Sequence, residues 1–120
     1  TQKLINIYGI ASAMSYLHSN KIIHGYLYPA NILMDEHIFP KVTDYQPLNL
    51  HDSNSKVINT QTSIYIAPEL YGNSTHSKEG DVYAFSIIVY EIITNTKPFN
   101  NLSYIKVFTK VSSGFRPEIP

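Results

Sequence analysis

Apolar side chains at Ile7, Ile10, Ala11, Met14 and Leu17 recur at the i, i+3, i+4, i+7 spacing of one helix face. This predicts an amphipathic helix over residues 4–18, in a segment 4–21. Gly9 inside it costs about 1 kcal/mol relative to alanine. Two short apolar runs follow, Ile32-Leu33-Met34-Asp35 and Pro40-Lys41-Val42-Thr43-Asp44, joined by Glu36-His37-Ile38-Phe39. They predict a β-hairpin. Residues 46–63 are polar and without period, as in a long surface loop. From Asp81 to Ile93 the chain is almost continuously apolar. The β-branched run Ile87-Ile88-Val89 favours a strand, whereas the length favours a buried helix. Asp81 as N-cap and Thr94-Asn95-Thr96-Lys97-Pro98 as stop signal decide for a helix over 81–96. A last helix over 103–113 is capped by Ser103, with Tyr104, Ile105, Phe108 and Val111 as its apolar side. Lys106 and Lys110 suit its later turns, and Gly114 ends it. The prolines keep the tail Arg116–Pro120 extended. The predicted fold class is mainly α with one short β-hairpin.

With 120 residues and 43% hydrophobic content, the chain is one domain or part of one, with enough apolar material for a core. Nine basic and nine acidic residues balance. That gives no electrostatic reason to expect nucleic acid or an anionic membrane as partner. Without cysteine there is no disulfide framework and no thiolate metal site, and the five histidines lack metal-ligand spacing. The run Val82–Ile93 is interrupted by Ser86 and Glu91 and is too short to span a bilayer. No signal-peptide pattern opens the chain. A cytoplasmic location is the default expectation.

Four ordered motifs carry a family resemblance. The stretch His24-Gly25-Tyr26-Leu27-Tyr28-Pro29-Ala30-Asn31-Ile32-Leu33-Met34-Asp35 resembles the catalytic loop of eukaryotic protein kinases, usually H-R-D-L-K-P-E-N-I-L-L-D. Asp44-Tyr45-Gln46 resembles Asp-Phe-Gly, Ala67-Pro68-Glu69 matches A-P-E, and Asp81-Val82-Tyr83 opens the segment that resembles the family's buried central helix. The form of these motifs is similar to serine/threonine kinases of the tyrosine-kinase-like group. The resemblance implies an incomplete kinase C-terminal lobe. Its segments are the helix before the catalytic loop (4–21), the catalytic loop region (22–35), the metal-aspartate strand with activation segment (40–69), the central helix (81–96) and a following helix (103–113). The glycine-rich lobe with its lysine and the final helices are not in the sequence, so an exposed apolar edge is expected.

The resemblance also assigns roles. Asn31 and Asp44 occupy the magnesium-binding positions, and hard oxygen donors suit that ion. His24, Glu69 and Asp81 take structural positions. In the family the glutamate of A-P-E pairs with an arginine further along the chain; a buried Glu69 without such a partner would be expensive. The departures fall on the chemistry. Tyr26 stands where the catalytic aspartate belongs, Tyr28 where the lysine belongs, and Gly25 where an arginine precedes the aspartate. Phenols ordinarily ionise only near pH 10 and are bulkier than carboxylates. Losing a positioned base typically costs about 10²–10⁴-fold in rate. Gln46, held extended by Pro47, replaces a glycine that lets the motif swing.

No catalytic residue is therefore intact, and phosphotransferase activity is not expected of this chain. The expected function is that of a pseudokinase-like segment acting by protein binding, through the activation segment or the helix 103–113. The alternatives are a divergent serine/threonine kinase, active when complete, and a truncated or decayed gene product. No cofactor is expected for the fragment. ATP and magnesium are implied only for a complete domain.

Overall fold

Helix α1 spans Gln2–Ser19 and buries Ile10, Met14 and Leu17, so the periodic apolar positions face the core. In this computed structural model, residues 1–43, 62–72 and 75–120 are described. The helix ends in a Schellman-type turn. Ile22 N–H donates to Leu17 O at 2.9 Å and Lys21 N–H to His18 O at 3.1 Å, with Lys21 at φ 60°. That turn aims the chain into Ile22-Ile23-His24.

After a 3₁₀ turn at Pro29–Asn31, β1 (Ile32–Met34) and β2 (Pro40–Val42) pair antiparallel. The register is Ile32 with Val42, Leu33 with Lys41 and Met34 with Pro40. The strands are shorter than the apolar runs suggested. Asp35 organises the connection, its Oδ1 accepting from His37 N–H at 2.8 Å and from Phe39 N–H at 2.9 Å. The turn places Ile38 at φ 62°, a strained conformation for a β-branched residue. Pro40 sits at the first position of its strand, where a missing N–H is tolerated.

Helix α2 spans Lys78–Thr94 and buries Gly80, Asp81, Ala84, Ile87 and Ile88. Its N-cap is Ser77, whose Oγ accepts from Gly80 N–H at 3.0 Å. The expectation that Asp81 caps the helix is thus corrected. The helix starts a turn earlier, and Asp81 lies inside it. Asn95, left-handed at φ 56°, ends it as the stop signal implied. Helix α3 spans Tyr104–Ser112 with Ser103 as its cap, Oγ accepting from Lys106 N–H at 3.4 Å. Gly114 follows with φ 99°. The apolar side expected for this helix is corrected in part. Val107 and Val111 turn inward, while Tyr104, Ile105 and Phe108 are 43%, 59% and 38% exposed.

Helix α2 is central. Helix α1 packs on it and on β2, a 3₁₀ turn at Ser63–Tyr65 packs against both α2 and α3, and a further turn at Pro68–Leu70 touches α3. The core joins Ile10, Met14 and Leu17 to Leu27, Ile64, Tyr65, Ala84, Ile87, Ile88, Val107 and Val111. An apolar edge is present, as expected. Leu4 and Tyr8 on α1 and Leu33, Met34 and Phe39 on the hairpin are exposed. No helix among the described residues is long and apolar enough to cross a membrane.

Gly9 is explained by proximity. A Cβ built there would lie 2.5 Å from Pro40 Cγ and 3.0 Å from Pro40 Cδ, so the missing side chain lets α1 reach the hairpin. Overpacking a rigid ring costs about 1–3 kcal/mol, which outweighs the roughly 1 kcal/mol that alanine gains in helix propensity. Gly9→Ala is therefore expected to lower stability by about 1 kcal/mol in urea denaturation, whereas propensity alone predicts a rise.

Candidate functional site

The loop after α1 is held by a carboxylate on α2. Asp81 is 3% exposed. Its Oδ2 accepts from His24 N–H at 2.8 Å and from His18 Nε2 at 2.9 Å, and its Oδ1 accepts from Gly25 N–H at 2.9 Å. One side chain thus ties α1, the loop and α2 together. Charge-assisted bonds of this kind are stronger than neutral ones.

His24 is fully buried. Its Nε2 donates to Thr43 O at 2.7 Å, because a carbonyl can only accept, and its Nδ1 accepts from Tyr26 N–H at 3.0 Å. The two bonds fix one neutral tautomer. They also bind the loop to the residue that follows β2. Thr43 returns the tie, its N–H and Oγ1 donating to Asn31 O at 2.8 and 3.1 Å.

Asn31 donates through Nδ2 to Tyr26 O at 2.8 Å. That bond uses the amide nitrogen and leaves the carbonyl oxygen, the hard donor that magnesium prefers, as the group with which Asn31 could hold an ion. Asp44, the other expected metal ligand, lies outside the described residues, as do Gln46 and the activation segment up to residue 61. Among the described residues no three His, Asp or Glu side chains come together as a metal cluster.

Aromatic rings take the places where charge was expected. The Tyr26 phenol oxygen is 3.1 Å from His76 Nε2, with ring centroids 4.8 Å apart in an edge-on arrangement. The Tyr26 and Tyr28 rings are 6.2 Å apart, and Tyr28 lies 5.8 Å from Tyr65. Burial, and secondarily the neighbouring Tyr26, pushes the Tyr28 phenol up to about 12. The Tyr65 hydroxyl bonds the Glu91 carboxylate on α2. Burial first, then that bond and the charge behind it, raise the Tyr65 pKa far above the usual phenol range. Tyr71 donates to Ser63 O at 2.8 Å, and burial, reinforced by Tyr83 and Tyr28, pushes its phenol to about 12.

Gly25 has φ 82°, and a Cβ there would stand 3.2 Å from His76 Cγ. A side chain at this position would therefore meet both backbone strain and the imidazole. His76 was not singled out in the sequence. It stands in no motif, and only the fold brings it to the loop.

Of the structurally assigned residues, His24 and Asp81 meet at this site, while Glu69 does not. The turn at Pro68–Leu70 leaves Glu69 exposed, so the desolvation cost of a buried, unpartnered carboxylate does not arise.

Two predictions follow from this geometry. Asp81→Ala leaves two loop N–H groups without an acceptor, and breaking such a buried charged network costs about 3–5 kcal/mol. Asp81→Asn keeps the shape but replaces one acceptor by a donor, and is expected to fall between Ala and wild type in denaturant midpoint. The second concerns alkali. The folded chain keeps the Tyr28 and Tyr71 protons up to about pH 12, whereas an unfolded chain releases them near pH 10. Their contribution to stability is full below pH 10 and is lost as pH rises from 10 to 12. Tyr28→Phe should flatten that alkaline decline in a series of urea midpoints.

The comparisons with known proteins agree with the four motifs. A family model described as protein kinase domain matches residues 3–116. The chain is 33% identical over 120 residues to an Acanthamoeba polyphaga mimivirus protein named as a serine/threonine-protein kinase/receptor, with 98% of this chain and 7% of the relative covered. It is 33% identical to the RGS domain-containing serine/threonine-protein kinase A of Dictyostelium discoideum, covering 99% of this chain and 11% of the relative. It is 34% identical to the serine/threonine-protein kinase STY17 of Arabidopsis thaliana, covering 92% and 20%. The chain thus spans a small part of the length of the relatives it matches. With the helical lobe, the hairpin and the loop held by Asp81 in place, this chain belongs to the protein kinase family, of whose domain it forms a part.

Proposed function

We propose that this chain is the large-lobe part of a pseudokinase domain, which keeps the kinase fold, transfers phosphate poorly and acts by binding a protein partner. The observation that carries the reading is Tyr26 at the base position, its phenol oxygen against His76. A general base must accept the proton of the substrate hydroxyl at hydrogen-bond distance. A carboxylate does so at neutral pH, and a phenol is a poor substitute. Tyr28 supports the same reading, since its phenol stays neutral up to about pH 12 and supplies no positive charge where a lysine would. Gly25 offers no cation to a phosphorylated activation segment.

Asn31 and Asp44 are the pair that would hold magnesium, which, when bound, neutralises charge on phosphate oxygens. The bond from Asn31 Nδ2 to Tyr26 O positions the amide within the loop whether or not phosphate is transferred. For partner binding, the outward side of α3, with Tyr104, Ile105 and Phe108 exposed, is the surface we favour among the described residues. The serine/threonine specificity in the relatives' names is carried over only as the ancestry of the fold.

The test is a phosphotransfer assay with radiolabelled ATP on the natural full-length protein. No transfer above that of an Asp44→Asn control is expected. Transfer that depends on Asp44 would sink the pseudokinase reading and favour the divergent active kinase instead.

A further inference from the structure

The sequence motifs do not account for His76. It belongs to the strand of chain entering α2, is exposed, and is separated by about fifty positions from the loop it touches. Three independent facts fix its seat. Its Nε2 is 3.1 Å from the Tyr26 phenol oxygen. Its ring stands edge-on to the Tyr26 ring with centroids 4.8 Å apart and planes inclined by 63°. Its Cγ, Cδ2 and Nδ1 lie 3.2, 3.3 and 3.5 Å from where a side chain at position 25 would begin. The imidazole therefore sits closer to residue 25 than a side chain there would comfortably allow. That glycine is at φ 82°, which other residues rarely adopt.

We infer that His76 is a latch: its imidazole, seated in the space that Gly25 leaves, holds the Tyr26 phenol in place and keeps the base position shut. The latch joins two elements that Asp81 already approximates. Asp81 fixes the backbone at His24 and Gly25, and His76 fixes the side chain of the next residue. Ser77, directly after His76, caps α2 through Gly80 N–H, so the latch is anchored to the start of the central helix and cannot drift far from it.

Replacing Tyr26 alone would leave the imidazole over Gly25. An arginine at position 25 would collide with the imidazole. Residues 25, 26 and 76 thus form one unit, in which an aromatic contact substitutes for charged side chains. The functional meaning of the latch rests on reading position 26 as the former base, but its existence as a coupled contact does not.

Hydrogen–deuterium exchange on the natural full-length protein, read by mass spectrometry on peptides covering residues 24–31, tests this. Neutral hydrogen bonds and edge-on ring contacts of this size correspond to about a 3–10-fold change in local opening. His76→Ala and Tyr26→Phe should each speed exchange in the loop by a factor in that range. The double variant should be less than the product of the two, because both remove the same contact. Peptides covering α3 should not change, which separates a local latch from general destabilisation. His76→Phe keeps a ring on Tyr26 without the hydrogen bond and should lie between wild type and His76→Ala; it also serves if the alanine variant does not fold. Multiplicative effects, or loop exchange that stays at the wild-type rate, would overturn the latch and leave the pseudokinase reading standing. Phosphate transfer by the wild-type protein would overturn that reading and leave the exchange result untouched.

Discussion

A single buried carboxylate, Asp81, holds the loop of this protein to its core. A charge at 3% exposure is tolerated only when its oxygens are filled. Here two backbone N–H groups and an imidazole fill them. The donors come from α1 and from the loop that follows it, whereas the acceptor comes from the first turn of the chain's most apolar helix. The folding of α2 and the shape of the loop are therefore one event. His24 extends the network by a fixed tautomer to Thr43, and Thr43 returns to Asn31. The result is a closed circuit of hydrogen bonds around a stretch of backbone that has no regular structure of its own.

That circuit explains how the loop holds its form with tyrosines at positions 26 and 28. The bonds that shape it run from backbone groups at His24, Gly25 and Tyr26 and from the side chains of His24, Asn31 and Asp81. None of them uses the side chain of residue 26 or 28. The side chains at those two positions can therefore differ in chemical character without removing any of these bonds. Here they belong to a run of rings, from His76 through Tyr26 and Tyr28 to Tyr65, with centroid separations of 4.8, 6.2 and 5.8 Å. Rings at such distances attract through their quadrupoles and exclude water.

Much of the fold was legible in the sequence because periodicity reports which face is buried. Ile10, Met14 and Leu17 lie where the i, i+3, i+4 pattern placed them, and the stop at Asn95 and the cap at Ser103 hold. The failures are as instructive. Asp81 looked like a cap because an acidic residue heads an apolar run, but Ser77 does that work a turn earlier. Nothing local tells a capping aspartate from one that reaches back to a loop 56 and 57 residues away. On α3 the expected apolar side included Val111, which is buried, but Val107 rather than Tyr104, Ile105 or Phe108 joins it in the core. Gly9 read as a flaw in a helix. It is a contact, and only the position of Pro40 shows it. The motif residues Tyr26, Tyr28 and Asn31 could be found from sequence, whereas His76, the partner of Tyr26, could not, since no spacing rule links positions fifty apart.

The distinction between framework and chemistry also bears on how such a chain is to be judged. Membership of the kinase family rests on elements that fold the lobe: the helix before the loop, the hairpin, Asp81 and α2. Activity rests on a handful of side chains presented by that frame. The frame's energetics lie in buried apolar contacts and in hydrogen bonds to Asp81, His24 and Thr43, and these are intact among the described residues. At positions 26 and 28 the frame presents aromatic rings, and the imidazole of His76 lies against the first of them beside Gly25. The bonds that shape the loop and the side chains presented at positions 26 and 28 are different atoms of the same stretch, so the frame constrains the second far less than the first.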